Sequence, residues 1–147
     1  PYRIIVSGRV KHFISAFGEH VIGKEVEAAM QRVSAEMGVR VVEFTVAPQV
    51  NPPEGGTAYH EWWVEFDEEP ADMKAFVGRL NAEMCKENIY YEDLISGKIL
   101  QELKVRSLKR DAFRAYMKSQ GKLGGQNKVP RLSNDRKIAD QLTAFMR

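Results

Sequence analysis

The residues of this chain best suited to chemistry lie in one loop. Gly121-Lys122-Leu123-Gly124-Gly125-Gln126-Asn127-Lys128-Val129-Pro130-Arg131 is rich in glycine and carries a lysine two residues before a proline. Glycines permit positive φ, whereas Pro130 fixes its own φ and pushes Val129 toward extended geometry, so Lys128 stands where a loose stretch becomes stiff. A cation so placed can be carried to an anionic ligand; a solvated lysine on a surface loop fits the same spacing. The surrounding charge is uneven. From Lys98 to Lys137 there are twelve Lys/Arg against three Asp/Glu, an excess of nine, so a chain of net charge +2 has −7 left for its remainder. That asymmetry suits an anionic partner, such as a nucleotide or an acidic face of another domain, and equally a solvated helix face. Aromatic residues do not interleave with these cations, and no helix-turn-helix or ribonucleoprotein motif is present, so no nucleic-acid partner is expected.

The elements that must hold this loop follow from hydrophobic periodicity. With 147 residues, 44% of them hydrophobic, the chain can bury a core, and no run approaches the roughly 20 apolar residues of a membrane helix. No membrane partner is therefore expected. The first residues do not read as a signal peptide, the initiator methionine is missing as in a trimmed or excised chain, and Cys85 stands alone; a reducing, cytoplasmic setting is expected. His12, His20 and His60 lack metal-ligand spacing, so no metal site is expected.

A short strand is expected around Phe13, then a helix with Ile22, Val26, Ala29, Met30, Val33 and Met37 on one stripe, stopped by Gly38. Val39 to Ala47 alternates as a strand. The breaker cluster Asn51-Pro52-Pro53-Glu54-Gly55-Gly56 separates it from another, in which His60, Trp62, Val64 and Phe66 share a face. Trp62 is expected in the core, and Trp63, on the other face, either at an interface or under a helix. Pro70 opens a second helix with Met73, Phe76, Val77, Leu80 and Met84 inward, and the acidic run Asp67-Glu68-Glu69 suits its N-terminal end. Leu103 and Val105 mark a fourth strand, Phe113, Tyr116 and Met117 a third helix, and Ser133 caps a last helix with Ile138, Leu142 and Phe145. This order predicts an α+β fold: a split βαβ arrangement, a mostly antiparallel sheet with helices on one face, and extra C-terminal helices.

A second constellation precedes the first helix. Gly8-Arg9, then Lys11, an apolar pair, a later glycine, Ile22 and a helix with Glu25 and Glu27 resembles the hinge region of adenylate-forming enzymes. Within that superfamily, the stretch from Gly8 to about Arg136 resembles the C-terminal domain of the Gretchen Hagen 3, or auxin-responsive promoter, family of acyl-acid amido synthetases. The most specific pieces are Lys11-His12-Phe13-Ile14-Ser15, Val42-Glu43-Phe44-Thr45, Tyr59-His60-Glu61-Trp62 and Gln126-Asn127-Lys128-Val129-Pro130-Arg131.

The resemblance implies a ligase of two steps: ATP adenylates a carboxylic acid with release of pyrophosphate, and an amine, usually that of an amino acid, then displaces AMP to form an amide. It implies that residues 1–10 end a preceding domain and approach a hinge, and that residues 11–147 form a mobile lid over an N-terminal adenylation domain. ATP and Mg²⁺ would be bound mainly by that N-terminal domain. Lys128 would act in adenylation, where a delivered cation stabilises charge spreading over phosphoryl oxygens. Arg131 is implied as a phosphate contact or as an ion pair fixing the loop against the last helix, and Gln126 as orienting the loop. Lys11 matches the hinge position, and Phe17-Gly18-Glu19-His20 would be the turn presented to the active site for the second step, with Glu19 or His20 able to assist amine deprotonation. Helix-start capping explains the same four residues. The chain lacks a Ser/Thr/Gly-rich phosphate loop, so alone it is expected to be inactive. The other classes open at this level are a small-ligand regulatory module and a protein-docking module using Lys109, Arg110, Arg114 and Lys118.

Overall fold

The alternating run around Trp62 becomes the central strand of the fold in the computed structural model of the chain, which describes residues 13–121 and 129–147. In chain order the elements are β1 (Phe13–Ile14), β2 (Val21–Ile22), α1 (Gly23–Met37), β3 (Val41–Gln49), β4 (Tyr59–Phe66), α2 (Met73–Glu87), α3 (Ile89–Ser96), β5 (Lys104–Ser107), α4 (Ala112–Ser119) and α5 (Lys137–Leu142), followed by a 3-10 turn at Thr143–Phe145.

The main sheet has the order β3-β4-β5. β3 and β4 run antiparallel, with Phe44 opposite Val64 and Val46 opposite Trp62, and a register shift between Val41 and Glu43. β5 lies parallel to β4, pairing Trp62 with Val105. A parallel pair needs a crossover. The segment carrying α2 and α3 supplies it.

Because side chains alternate across a strand, one sheet face collects Phe44, Val46, Trp62, Val64 and Phe66 and buries them against Val26, Ala29, Met30 and Val33 of α1 and Phe76, Leu80 and Met84 of α2. Phe44 stacks on Trp62 with centroids 5.4 Å apart, and Phe66 meets Phe76 edge-on at 5.5 Å. The opposite face is a second, smaller core in which Ala47 and Trp63 pack with Ala112, Phe113 and Tyr116 of α4, Ala139 and Leu142 of α5, Leu108 and Val129. Trp63 thus lies beneath the C-terminal helices.

This is the α+β class, a helix-packed sheet with extra C-terminal helices, and several local features differ from the periodicity reading. The strand at Phe13 joins β2 in a separate antiparallel ribbon, leaving the main sheet three-stranded and mixed. Helices cover both faces, because the extra C-terminal helices take the face that the longer helices leave open. α2 starts three residues after Pro70, where the Asp72 side chain accepts the Ala75 amide at 3.0 Å. Ser133 caps no helix; its amide donates to the Val46 carbonyl, and α5 begins at Lys137. α3 was not anticipated, although Asn88 caps it through Tyr91 N at 2.9 Å, Tyr91, Leu94 and Ile95 are spaced for one face, and Gly97 ends it. Among the described residues no helix is long and apolar enough to cross a membrane.

Candidate functional site

Two stretches far apart in sequence meet at one corner of the fold: the turn between β1 and β2, and the segment that follows the glycine-rich loop. The Ser15 amide donates to Asn134 Oδ1 at 3.0 Å, and a Cβ built on Gly23 would lie 3.9 Å from Cβ of Arg131. Lys11, Gln126 and Lys128 lie outside the described residues. What the structure shows of their site is how its flanks are held.

The C-terminal flank lies along the outer edge of β3. Val46 N donates to Arg131 O at 3.0 Å and Ser133 N to Val46 O at 3.0 Å, a parallel bridge that pairs Val46 with Leu132. The buried Thr45 hydroxyl donates to Pro130 O at 2.6 Å, and Val129, the residue after Lys128, is buried in the second core. Proline has no N–H to give a ladder, so Pro130 joins the edge through its carbonyl alone.

Arg131 completes this anchorage. Its guanidinium pairs with Glu43, donates to Phe44 O at 2.9 Å, lies 3.6 Å from Glu27 Oε1 of α1 and sits 4.4 Å above the Phe44 ring centroid. Arg131 therefore holds the loop's exit to β3 and α1. The last helix is held by Arg136, whose Nη2 lies 2.9 Å from Glu61 Oε1 while Glu61 Oε2 engages Arg106. At the entrance, α4 leads into the loop. It has no cap from its own N-cap residue, Asp111, which sits at φ 65°. The buried carboxylate of Glu65 on β4 caps it instead, accepting Asp111 N at 2.8 Å and Phe113 N at 3.2 Å.

The β1–β2 turn is held by a buried polar cluster. Glu19 and His60 are both buried, with Nε2 2.7 Å from Glu19 Oε2; the other carboxylate oxygen accepts Phe17 N at 2.8 Å. Burial alone would push the Glu19 carboxyl up, but its hydrogen bond and charge interaction with His60, with the Phe17 amide, hold it below the usual carboxylate range. Asn88 Nδ2 lies 3.0 Å from Glu19 O, 3.3 Å from His20 O and 3.0 Å from Glu25 Oε1, while Glu25 Oε1 also accepts Ile22 N at 3.0 Å. Phe17 is 43% exposed, Gly18 takes φ 92°, and His20, exposed, takes φ 45°. The structure thus separates the four turn residues: Glu19 points inward as an anchor, and Phe17, Gly18 and His20 form the surface.

His60, Asn88, Thr45 and Glu65 organise these flanks and were not singled out as site residues. Polar residues inside otherwise apolar strand alternation, Thr45 and His60 among them, were the available signal. Among the described residues no group of three or more His, Cys, Asp or Glu side chains could hold a metal ion.

Comparison with known proteins places this architecture. Residues 24–137, most of the chain, match the GH3 family C-terminal domain. The chain belongs to this family. Its fold resembles the solved GH3.15 acyl acid amido synthetase, with TM-score 0.73 and 15% identity over 93% of this chain, and AtGH3.15 acyl acid amido synthetase in complex with 2,4-DB, with TM-score 0.71 and 14% identity over the same share. No curated protein matches. The chain spans 26% of the length of each of those two structures. Within this GH3 C-terminal domain, the family match takes in Gln126, Lys128, Arg131, His60 and Asn88 and begins after the Phe17–His20 turn.

Proposed function

We propose that this GH3 C-terminal domain is the mobile lid of an ATP-dependent acyl-acid amido synthetase that adenylates a carboxylic acid and transfers the acyl group to an amino acid. The observation that carries the reading is the family match over residues 24–137, which contains the lysine loop together with β3 and α1, against which its exit is held.

ATP supplies the adenylyl group that activates the acid, and it is bound, with Mg²⁺, mainly by a preceding N-terminal domain. The lid's own contribution is positive charge. Lys128 neutralises charge developing on the phosphoryl oxygens as acid and nucleotide approach, a task that needs a pre-placed cation in a site closed to water. Gln126 orients the loop, and Arg131 adds a phosphate-side contact while fixing the exit. Rotation about the backbone at Lys11 exchanges this loop for the Phe17–His20 turn, which faces the acyl group for amide formation; a few dihedrals can absorb such a rotation.

The deciding experiment measures pyrophosphate release from ATP by the full-length parent protein over a panel of carboxylic acids, comparing the unmodified enzyme with Lys128→Ala. The expected result is acid-dependent release by the unmodified enzyme and a loss of about 10²–10³-fold in the folded variant. Unchanged release would remove Lys128 from the mechanism. An unmodified enzyme that releases no pyrophosphate with any acid of the panel would overturn the ligase reading.

A further inference from the structure

We infer that His60, acting through Glu19 and assisted by Asn88, is a positioning residue that holds the Phe17–His20 turn in the conformation needed for amide formation. The inference rests on the ligase reading of this domain.

The turn costs energy to hold. His20 is a non-glycine residue at φ 45°, and such backbone persists only where the surroundings over-determine it. Its neighbours supply that determination. Glu19 is fully buried, His60 is buried, and their side chains meet at 2.7 Å inside the main core beside Tyr91, whose ring centroid lies 5.2 Å from that of His60. Glu19 is ionised at neutral pH, so Nε2–H of His60 is the donor, and the second carboxylate oxygen folds the turn back by accepting Phe17 N. Asn88 adds a clamp from the start of α3, reaching the carbonyls of Glu19 and His20.

Burying a carboxylate against a polar partner is a poor way to gain stability, since apolar residues of similar volume in place of such a pair are often as stabilising or more so. It does fix geometry. Each partner has one place where its polar atoms are satisfied, and departure leaves a buried charge unpaired. What this pair fixes is a surface made of Phe17, the Gly18 backbone and His20, rather than a hydrophobic contact. The corner also carries the tie from Ser15 to Asn134, which joins the turn to the exit of the lysine loop. The two loops proposed to alternate at one active site are therefore mounted on a common rigid corner, and His60 sets the shape of one of them.

The test uses the full-length parent with the acid found by pyrophosphate release. Acid-dependent exchange of pyrophosphate into ATP reads the first step; the rate at which acyl-adenylate formed on the enzyme is consumed by each of the proteinogenic amino acids reads the second. Hydrogen exchange of the peptide covering residues 15–22 reads the turn. In His60→Leu, the second step is expected to fall by about 10²-fold, the scale of a misplacement of about 1 Å, with adenylation unchanged and exchange in the turn faster. His60→Gln, which keeps a donor, should recover most of the second-step rate. Equal loss in both steps, or faster exchange with neither step altered, overturns the positioning role. If His60→Leu fails to fold, Glu19→Gln and His60→Gln carry the same comparison, and a second step unaffected in both overturns it. An unmodified enzyme that adenylates no acid overturns the ligase reading instead, so the two failures are distinguishable.

Discussion

Removing the Glu65 carboxylate should unseat α4 and, with it, the entrance to the lysine loop. An eight-residue helix is marginal by itself, and the N–H groups of its first turn have no partners within the helix. In this chain two of the backbone amides at its start, Asp111 N and Phe113 N, are answered by Glu65, which is 3% exposed and comes from the central strand. Hydrogen bonds to a charged acceptor contribute about 1.5–3 kcal/mol each, and a helix N-terminus favours negative charge by up to about 2 kcal/mol in partly buried geometry. The two bonds share one acceptor group, so the terms are not additive; Glu65→Ala is expected to cost about 3–4 kcal/mol. Glu65→Gln keeps one carbonyl acceptor but turns an amide N–H toward a backbone N–H, for a loss of about 1–2 kcal/mol. For a chain of this size these figures correspond to Tm decreases of about 6–16 °C and about 2–8 °C. Urea and thermal denaturation should be followed by circular dichroism and by tryptophan fluorescence, because Trp63 lies in the same small core as Phe113. A loss below about 1 kcal/mol for Glu65→Ala, or equal losses for the two variants, would refute the assignment of Glu65 as the cap of α4.

Thr45→Val removes the hydroxyl that donates to Pro130 O while keeping shape; it should cost about 1–2 kcal/mol and speed amide exchange at Ser133, with Thr45→Ser retaining the bond, and unchanged exchange in Thr45→Val would show that the hydroxyl does not hold the edge. Glu19 has a folded-state pKa below its unfolded value of about 4.5, so the stability it contributes is present above that value and is lost as pH falls through the folded pKa. Urea melts between about pH 6 and about pH 2.5 should therefore show a shallower acid loss for Glu19→Gln than for the unmodified chain, and parallel profiles would refute the depressed pKa.

The parts of the fold readable from the sequence were those where one physical signal dominated. The stripe Val26, Ala29, Met30, Val33 and the αL stop at Gly38 define α1 without help from elsewhere, and the alternation through Trp62, Val64 and Phe66 defines β4. Periodicity is silent on pairing. Nothing local to Phe13 says that its strand partners Ile22 instead of joining the main sheet, and nothing in Leu103 to Val105 distinguishes a parallel neighbour from an antiparallel one. Ser133 illustrates competition of another kind. A serine near a helix start offers a side-chain cap, but its amide was needed on the open edge of β3, which fixed the segment as extended and delayed α5 to Lys137.

The charge imbalance along the chain has a similar explanation. Basic residues of the C-terminal third find acidic partners within the same molecule: Arg106 and Arg136 flank Glu61, Arg110 meets Asp67, and Arg131 joins Glu43 and Glu27. The acidic residues of β3 and β4 lie on the face and edge over which the later segments fold, so an excess of one sign in sequence becomes alternation in space. Four of the cations that might have suggested an external anion are thereby assigned to assembly of the domain. Their pairing explains why a glycine-rich loop can be carried between α4 and the β3 edge with both ends fixed: its exit is held by Arg131, Thr45 and Val46, its entrance by Glu65. Under the proposed function, a lysine delivered by domain rotation would need both ends of its loop held in this way. Were the ends loose, the positive charge would be spread over many positions and the electrostatic stabilisation of a developing phosphoryl charge would fall with it.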